Sequence, residues 1–246
     1  MSAVARPTTV AVTGGQGLVA TVLRDRIGDR FDFRWLSHAD ADITDLPALE
    51  RAFAGAHSVV HLAATADVAA GWDEVLAANV IGVRNVYEAA RRAGVELVVF
   101  ASSNHAVGMY MWDDERFADP DHPDLVGTDV PVRPDSLYGA SKVWGEALGR
   151  LYSERLGLRV ICLRIGWVTE DDKLSEDTAA RQEPARVARR APGMWMSHRD
   201  CASLFEAALR SDASFGIVNG VSDNRGRWFS LDEGRRLLGW EPLDGR

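Results

Sequence analysis

Tyr138 and Lys142 stand four residues apart in Leu137-Tyr138-Gly139-Ala140-Ser141-Lys142, so in a helix they share one face. An ammonium beside a phenol favours the phenolate and lowers the phenol pKa. Such a phenolate can take the proton of an alcohol while hydride leaves the same carbon for a nicotinamide ring, whose positive charge assists ionisation. Upstream, a β-rich run ends in Ala101-Ser102-Ser103-Asn104-His105. Open α/β sheets place ligands at the C-terminal ends of their strands, and a serine there can hold the same substrate oxygen. The bland alternative is a chance tyrosine–lysine pair on a surface helix. The strand-end serine and the glycine turn near the chain start weigh against it.

That turn reads Thr13-Gly14-Gly15-Gln16-Gly17-Leu18-Val19-Ala20, after a short β-rich run and before a helical pattern. Gly14 permits a tight turn, Gly17 lets backbone approach a pyrophosphate, and Ala20 keeps helix and sheet close. Free N–H groups and the dipole of the helix start attract the phosphates. Gly14, Gln16, Gly17 and Leu18 are therefore candidate cofactor contacts. About 20 residues further on, an NAD site usually carries an acidic ribose reader. This chain has His38 there, in Leu36-Ser37-His38-Ala39-Asp40. No arginine follows Leu36 to hold a 2′-phosphate, and Asp40 and Asp42 would repel one, so NAD is favoured over NADP. Asp42 could accept hydrogen bonds from the adenine edge, with Ile43 beside it, or could simply be an acid at a helix start. His38 could equally be an exposed loop histidine.

These residues need a frame, and the apolar periodicity supplies one. Strands are expected over Thr9–Val12, Phe31–Leu36, Ser58–Leu62, Leu97–Ala101 and Leu158–Leu163. Helices are expected at Leu18–Ile27, Leu46–Phe53, Asp73–Arg92, Ser136–Arg155, His198–Leu209 and Leu231–Leu238. Alternation of this kind predicts an α/β, Rossmann-like, doubly wound parallel sheet with a small C-terminal substrate-binding region. We expect one domain over 1–246, with 1–166 mainly holding the cofactor and 167–246 mainly supplying substrate-binding segments and terminal helices. Asp113–Pro134 reads as a surface loop, and Glu170–Pro192, with four arginines, as a lid or substrate segment. His198 and Asp200 read as capping and packing residues, while Arg227 and Trp228 could touch substrate, with surface packing the expected role.

With 246 residues and 46% hydrophobic content, the chain can bury a full core without metal or disulfide staples. Its formal charge of −8 argues against a nucleic-acid or anionic-membrane footprint. The two cysteines, Cys162 and Cys201, lack metal-ligand spacing, and the six histidines form no metal-spaced cluster, so no metal is expected. No secretion signal or membrane span is legible, so a reduced, cytoplasmic protein is the expectation, and a homo-oligomer is compatible with it.

Taken together, the motifs resemble the extended short-chain dehydrogenase/reductase superfamily, and more closely the bacterial uronate dehydrogenases. The resemblance rests on Phe100-Ala101-Ser102-Ser103-Asn104-His105 and Arg133-Pro134-Asp135-Ser136-Leu137-Tyr138-Gly139-Ala140-Ser141-Lys142. Leu163-Arg164-Ile165-Gly166, Trp195-Met196-Ser197-His198 and Leu238-Gly239-Trp240-Glu241-Pro242 also look familial. It implies NAD-dependent oxidation of the anomeric hydroxyl of a cyclic uronic acid to an aldarolactone. Ser103 would be the catalytic serine, Tyr138 the base and Lys142 its modulator, with Asn104 and His105 bonding sugar hydroxyls. His105 could instead be structural. Asn79 resembles an asparagine that braces such sites, though a buried amide bonded to backbone reads the same way. Ala63 and Ala64 would line the cofactor's ribose and phosphates. Leu62, Asn79 and Ile165 join the candidate cofactor contacts, and Thr65 the substrate contacts.

Two features depart from that family. Trp167 follows Arg-Ile-Gly where a small serine is usual, and could stack on a sugar face or pack on the core. The carboxylate-gripping arginine must come from a longer segment holding Arg181, Arg186, Arg189 and Arg190, of which alignment favours Arg190. A neutral aldose or other small cyclic alcohol is therefore an alternative substrate. A nucleotide-sugar epimerase or dehydratase is disfavoured, because Asn104 and His105 occupy the place of a dehydratase acid pair. A non-catalytic dinucleotide sensor would not need Ser103, Tyr138 and Lys142 together.

Overall fold

The computed structural model describes residues 8–113, 125–173 and 191–245. Its strands are β1 (Thr9–Thr13), β2 (Asp32–Leu36), β3 (Ser58–His61), β4 (Leu97–Ser103), β5 (Arg159–Ile165) and β6 (Phe215–Gly220). All pair in parallel, in the order β2-β1-β3-β4-β5-β6. The strand order reverses at β1 and β3, which opens a crevice at their C-terminal ends. The sheet is covered on both faces, and every residue of β3 and β4 is buried, the polar Ser58, His61, Ser102 and Ser103 included.

The pleat sorts side chains into two cores. Val10, Val12, Leu97 and Val99 face one cluster, which also holds Leu23 of α1 (Leu18–Ile27) and Leu204 of α7 (His198–Arg210). Ala11, Val98 and Phe100 face the other, with Leu49 of α2 (Leu46–Phe53), Tyr87 of α4 (Val83–Arg92) and Leu148 of α6 (Leu137–Leu156). The helix ends follow their local chemistry. Asp45 caps α2 through Ala48 N, Ser136 caps α6 through Gly139 N, and Ser197 caps α7 through Asp200 N. Gly94 and Gly157, both at φ +75°, lie just past the ends of α4 and α6.

Two elements differ from expectation. The stretch expected as one helix over Asp73–Arg92 is α3 (Trp72–Val75), a wider π-type turn at Leu76–Gly82, and then α4. The wide turn carries Asn79, and such turns collect where a helix must aim one side chain inward. Strand β6 was not expected within 167–246. Its glycines mask a strand pattern, yet they are what lets helices close on it. A side chain at Gly220 would meet Leu204 at 2.7 Å, and one at Gly216 would strike Leu237 of α8 (Asp232–Leu238).

Most of the expected loop and lid lies outside the described residues, namely 114–124 and 174–190. The described end of the first is tied down, with Val126 paired to Phe229. His198 and Asp200 pack as expected, but neither caps the helix; that role falls to Ser197. Asp200 accepts from Ser222 Oγ at 2.6 Å and from Leu243 N at 2.7 Å, and His198 Nε2 bonds Thr169 O at 2.7 Å. Trp228 is buried against Phe229, and Arg227 binds Asp223.

Candidate active site

The chain leaves β1 through a turn that has no room for side chains. Gly14 sits at φ +70°, and a Cβ there would lie 2.7 Å from Ala63 N. Gly17 then caps α1 with no side-chain hydrogen bond, and the first turn carries no acid. Its N–H groups are thus left for a ligand anion.

From this turn two cavities open. One, of about 430 Å³, is walled by Leu18, Ser103, Asn104, His105, Tyr138 and Lys142, with Ile165 and Trp167 opposite. The other, of about 490 Å³, runs past Gln16, His38, Asp42, Ile43, Ala63 and Thr65. Gly14, Gly17, Leu62 and Ala64 line both. The result is a two-lobed groove across the switch point, with Tyr138 in one lobe and His38 and Asp42 in the other. This layout, the bare helix start and the glycine cradle fit NAD.

At the tyrosine end, Lys142 is buried with its Nζ donating to Ala101 O at 2.8 Å and 5.3 Å from the Tyr138 ring centre. Ser103 ends β4 and Asn104 opens the short turn that follows, and Ser103 Oγ accepts from His105 N at 3.2 Å. The electrostatics differ from the sequence-based expectation. Burial raises the Tyr138 pKa and Asp135 adds to the rise, while the Ser103 hydroxyl opposes it. Burial also pulls Lys142 down to about 8, partly offset by Glu146. Glu146 is itself held by Arg164, through two bonds of 2.8 Å, and by Ser102 at 2.6 Å. Without a bound cofactor, desolvation thus keeps the phenol above its usual range.

Residues 10–169 match the NAD dependent epimerase/dehydratase family. The chain belongs to that family. It is 38% identical to the NAD-dependent glucose-6-phosphate dehydrogenase of Haloferax volcanii, over 96% of this chain and 93% of the relative. It is also 38% identical to the L-arabinose 1-dehydrogenase (NAD(P)(+)) of the same organism, over 96% of each. A variant of the uronate dehydrogenase of Agrobacterium tumefaciens, complexed with NAD, superposes with a TM-score of 0.79 at 30% identity, covering 97% of this chain and 85% of that one. This member of the family is an NAD-dependent dehydrogenase of the uronate dehydrogenase type, with the Rossmann-like fold expected of it.

In this dehydrogenase the second lobe is lined by His38 and Asp42. Asp40 folds back onto Ser37, accepting from its N at 2.8 Å and its Oγ at 2.6 Å. Asp42 accepts from Thr44 N and Oγ1 at 2.8 and 2.9 Å, and these bonds hold its carboxyl low. Asp45, not Asp42, is the helix cap. His38 lies on the groove wall with its side chain 85% exposed.

Asn79 lines neither cavity. Its Nδ2 donates to Thr65 O at 2.9 Å and to Ser141 Oγ at 3.0 Å, and its Oδ1 accepts from Thr65 N at 2.8 Å. Ser141 Oγ donates in turn to Tyr138 O at 2.7 Å. Asn79 thus braces the tyrosine helix against the β3 loop. Thr65 lines the cofactor lobe, not the tyrosine end where it was expected to meet substrate. Arg190 lies outside the described residues. Asp135, whose carboxylate meets His105 Nδ1 at 2.9 Å, was not singled out from sequence. Its position before the helix cap reads as loop chemistry, and its partner is 30 residues away. Among the described residues, no group of His, Cys, Asp and Glu could hold a metal, and no helix is long and apolar enough to cross a membrane.

Proposed function

We propose that this enzyme oxidises the anomeric hydroxyl of a cyclic uronic acid to the aldarolactone. The observation that carries the reading is the convergence of Ser103, Tyr138 and Lys142 with Asn104 and His105 on one cavity, at the end of a groove that fits NAD. NAD, when bound, supplies the hydride acceptor and a positive ring that favours the ionised phenol. The glycine turn and the start of α1 would hold its pyrophosphate, and the lobe past His38 and Asp42 its adenosine. Ser103 orients the substrate hydroxyl, and Tyr138 takes its proton. Lys142, fixed on Ala101 O, keeps a positive charge near the phenol. Asn104 and His105 read neighbouring sugar hydroxyls. In this reading residues 1–166 mainly serve the cofactor, substrate contacts from 167–246 include Trp167, and Arg190 grips the carboxylate. Two buried, unpaired thiols, Cys162 and Cys201, support a reduced, cytoplasmic setting.

One observation favours a second substrate, a neutral aldose. Trp167 closes the cavity with an indole, and among the described residues the cavity wall carries no guanidinium. A relative named as an L-arabinose 1-dehydrogenase, at the identity given above, points the same way. The deciding experiment is a panel of uronic acids, neutral aldoses and aldose phosphates, with NAD and with NADP, followed at the reduced-nicotinamide absorbance. The proposal expects NADH to accumulate with a uronic acid as the best substrate. Activity on neutral aldoses alone would discard the carboxylate clamp, and turnover without net NADH would indicate epimerisation.

A further inference from the structure

The Asp135 carboxylate has the marks of a built site. Both its oxygens lie 2.9–3.0 Å from His105 Nδ1. The Asp135 side chain is only 6% exposed and that of His105 21%. Among the described residues no lysine or arginine pairs with this carboxylate, and Ser136 Oγ is its one other side-chain donor, at 3.1 Å. The backbone is shaped around it. A side chain at Gly108 would strike the carboxylate, and a Cβ at Gly139 would lie 3.3 Å from Oδ1. The Asp135 loop is sewn to the His105 turn by Arg133 N to Ala106 O at 3.2 Å and Met109 N to Arg133 O at 2.9 Å. The imidazole stands edge-on to the Tyr138 ring, 5.7 Å between centres at 65°.

We propose that Asp135 is a positioning residue that locks the His105 proton on Nδ1, leaving Nε2 as a hydrogen-bond acceptor for a substrate hydroxyl. An ionised carboxylate only accepts, so the nitrogen facing it must carry hydrogen, and the neutral ring then has its lone pair on Nε2. His105 lines the substrate cavity beside the base. A hydroxyl next to the reacting carbon therefore donates to Nε2. An analogue lacking that hydroxyl leaves the acceptor without its partner, which is how a polar site rejects a deoxy compound. This inference depends on the oxidation reading only for the identity of that hydroxyl; the tautomer is a property of the protein.

The test uses the full chain labelled with ¹⁵N-histidine. The His105 signals are assigned by their loss in His105→Gln. With the imidazole neutral, wild-type enzyme should show a protonated Nδ1 and an unprotonated Nε2. In Asp135→Asn, whose amide can present either donor or acceptor, the two tautomers should mix. That variant should lose about tenfold or more in kcat/KM on the preferred sugar, keep its NAD affinity, and lose much of the discrimination against the deoxy analogue. A wild-type His105 protonated on Nε2 would overturn the proposal, as would an Asp135→Asn enzyme with unchanged tautomer and unchanged discrimination. Should Asp135→Asn fail to fold, the wild-type spectrum decides alone. If no sugar is oxidised but Nδ1 carries the proton, the functional reading falls and the tautomer lock stands.

Discussion

Asn79→Ala tests how far the site depends on a residue that lines neither lobe of the groove. The change removes three hydrogen bonds of 2.8–3.0 Å from a buried position. A buried polar group left without its partner costs about 1–3 kcal/mol. Thr65 N and O lie at a half-buried loop and regain some water, so each falls at the low end. Ser141 Oγ keeps its own bond to Tyr138 O and loses only an incoming donor. The expected loss is about 2–4 kcal/mol of stability. At about 2–4 °C per kcal/mol for a chain of this size, Tm should drop by roughly 4–16 °C. Because Ser141 holds the backbone of Tyr138, kcat should fall more than NAD affinity does. Calorimetry and NAD titration, with steady-state kinetics well below the new Tm, measure the three quantities. An unchanged Tm, or a loss confined to NAD affinity, would refute the bracing role and return Asn79 to the cofactor contacts.

Other residues give equally definite outcomes. Gly14→Ala places a side chain at φ +70° and 2.7 Å from Ala63 N; the left-handed backbone alone costs about 1–2 kcal/mol, so Tm should fall and NAD affinity should drop at least about tenfold. Burial lowers His61 to about 3, and Lys142 adds to this. The folded protein thus resists a proton that the unfolded chain takes up from about pH 6.5. Stability from the neutral ring is full above that value and is lost as pH falls toward 3. At about pH 5 the loss should reach about 2 kcal/mol, read by urea unfolding, and should shrink in His61→Asn.

Much of this architecture is legible because local rules and tertiary packing agree. β3 and β4 read as strands because each holds a short β-rich apolar run, Val59-Val60 and Leu97–Ala101, and α6 is bounded by a serine cap and a stop glycine. The glycine turn and the Ser103, Tyr138 and Lys142 set were visible because each motif sits within a few residues. What escaped is what the sequence encodes only through distant contacts. β6 was hidden by glycines whose purpose is to admit Leu204 and Leu237. The wide turn at Leu76–Gly82 depends on Asn79 reaching Thr65 and Ser141, 14 and 62 residues away. Asp135 becomes meaningful only once it meets His105. The rise of the phenol pKa in the cofactor-free chain escaped for a related reason: spacing places a charge beside Tyr138, but only the folded structure shows that both groups are desolvated.

The central claim is that the Tyr138 oxygen accepts the proton of the substrate hydroxyl, and Tyr138→Phe examines it with the smallest change. On the preferred substrate from the panel, the account predicts NAD affinity within about threefold of wild type and a kcat lower by about 10²–10⁴. A Phe variant that retains most of its turnover would contradict it.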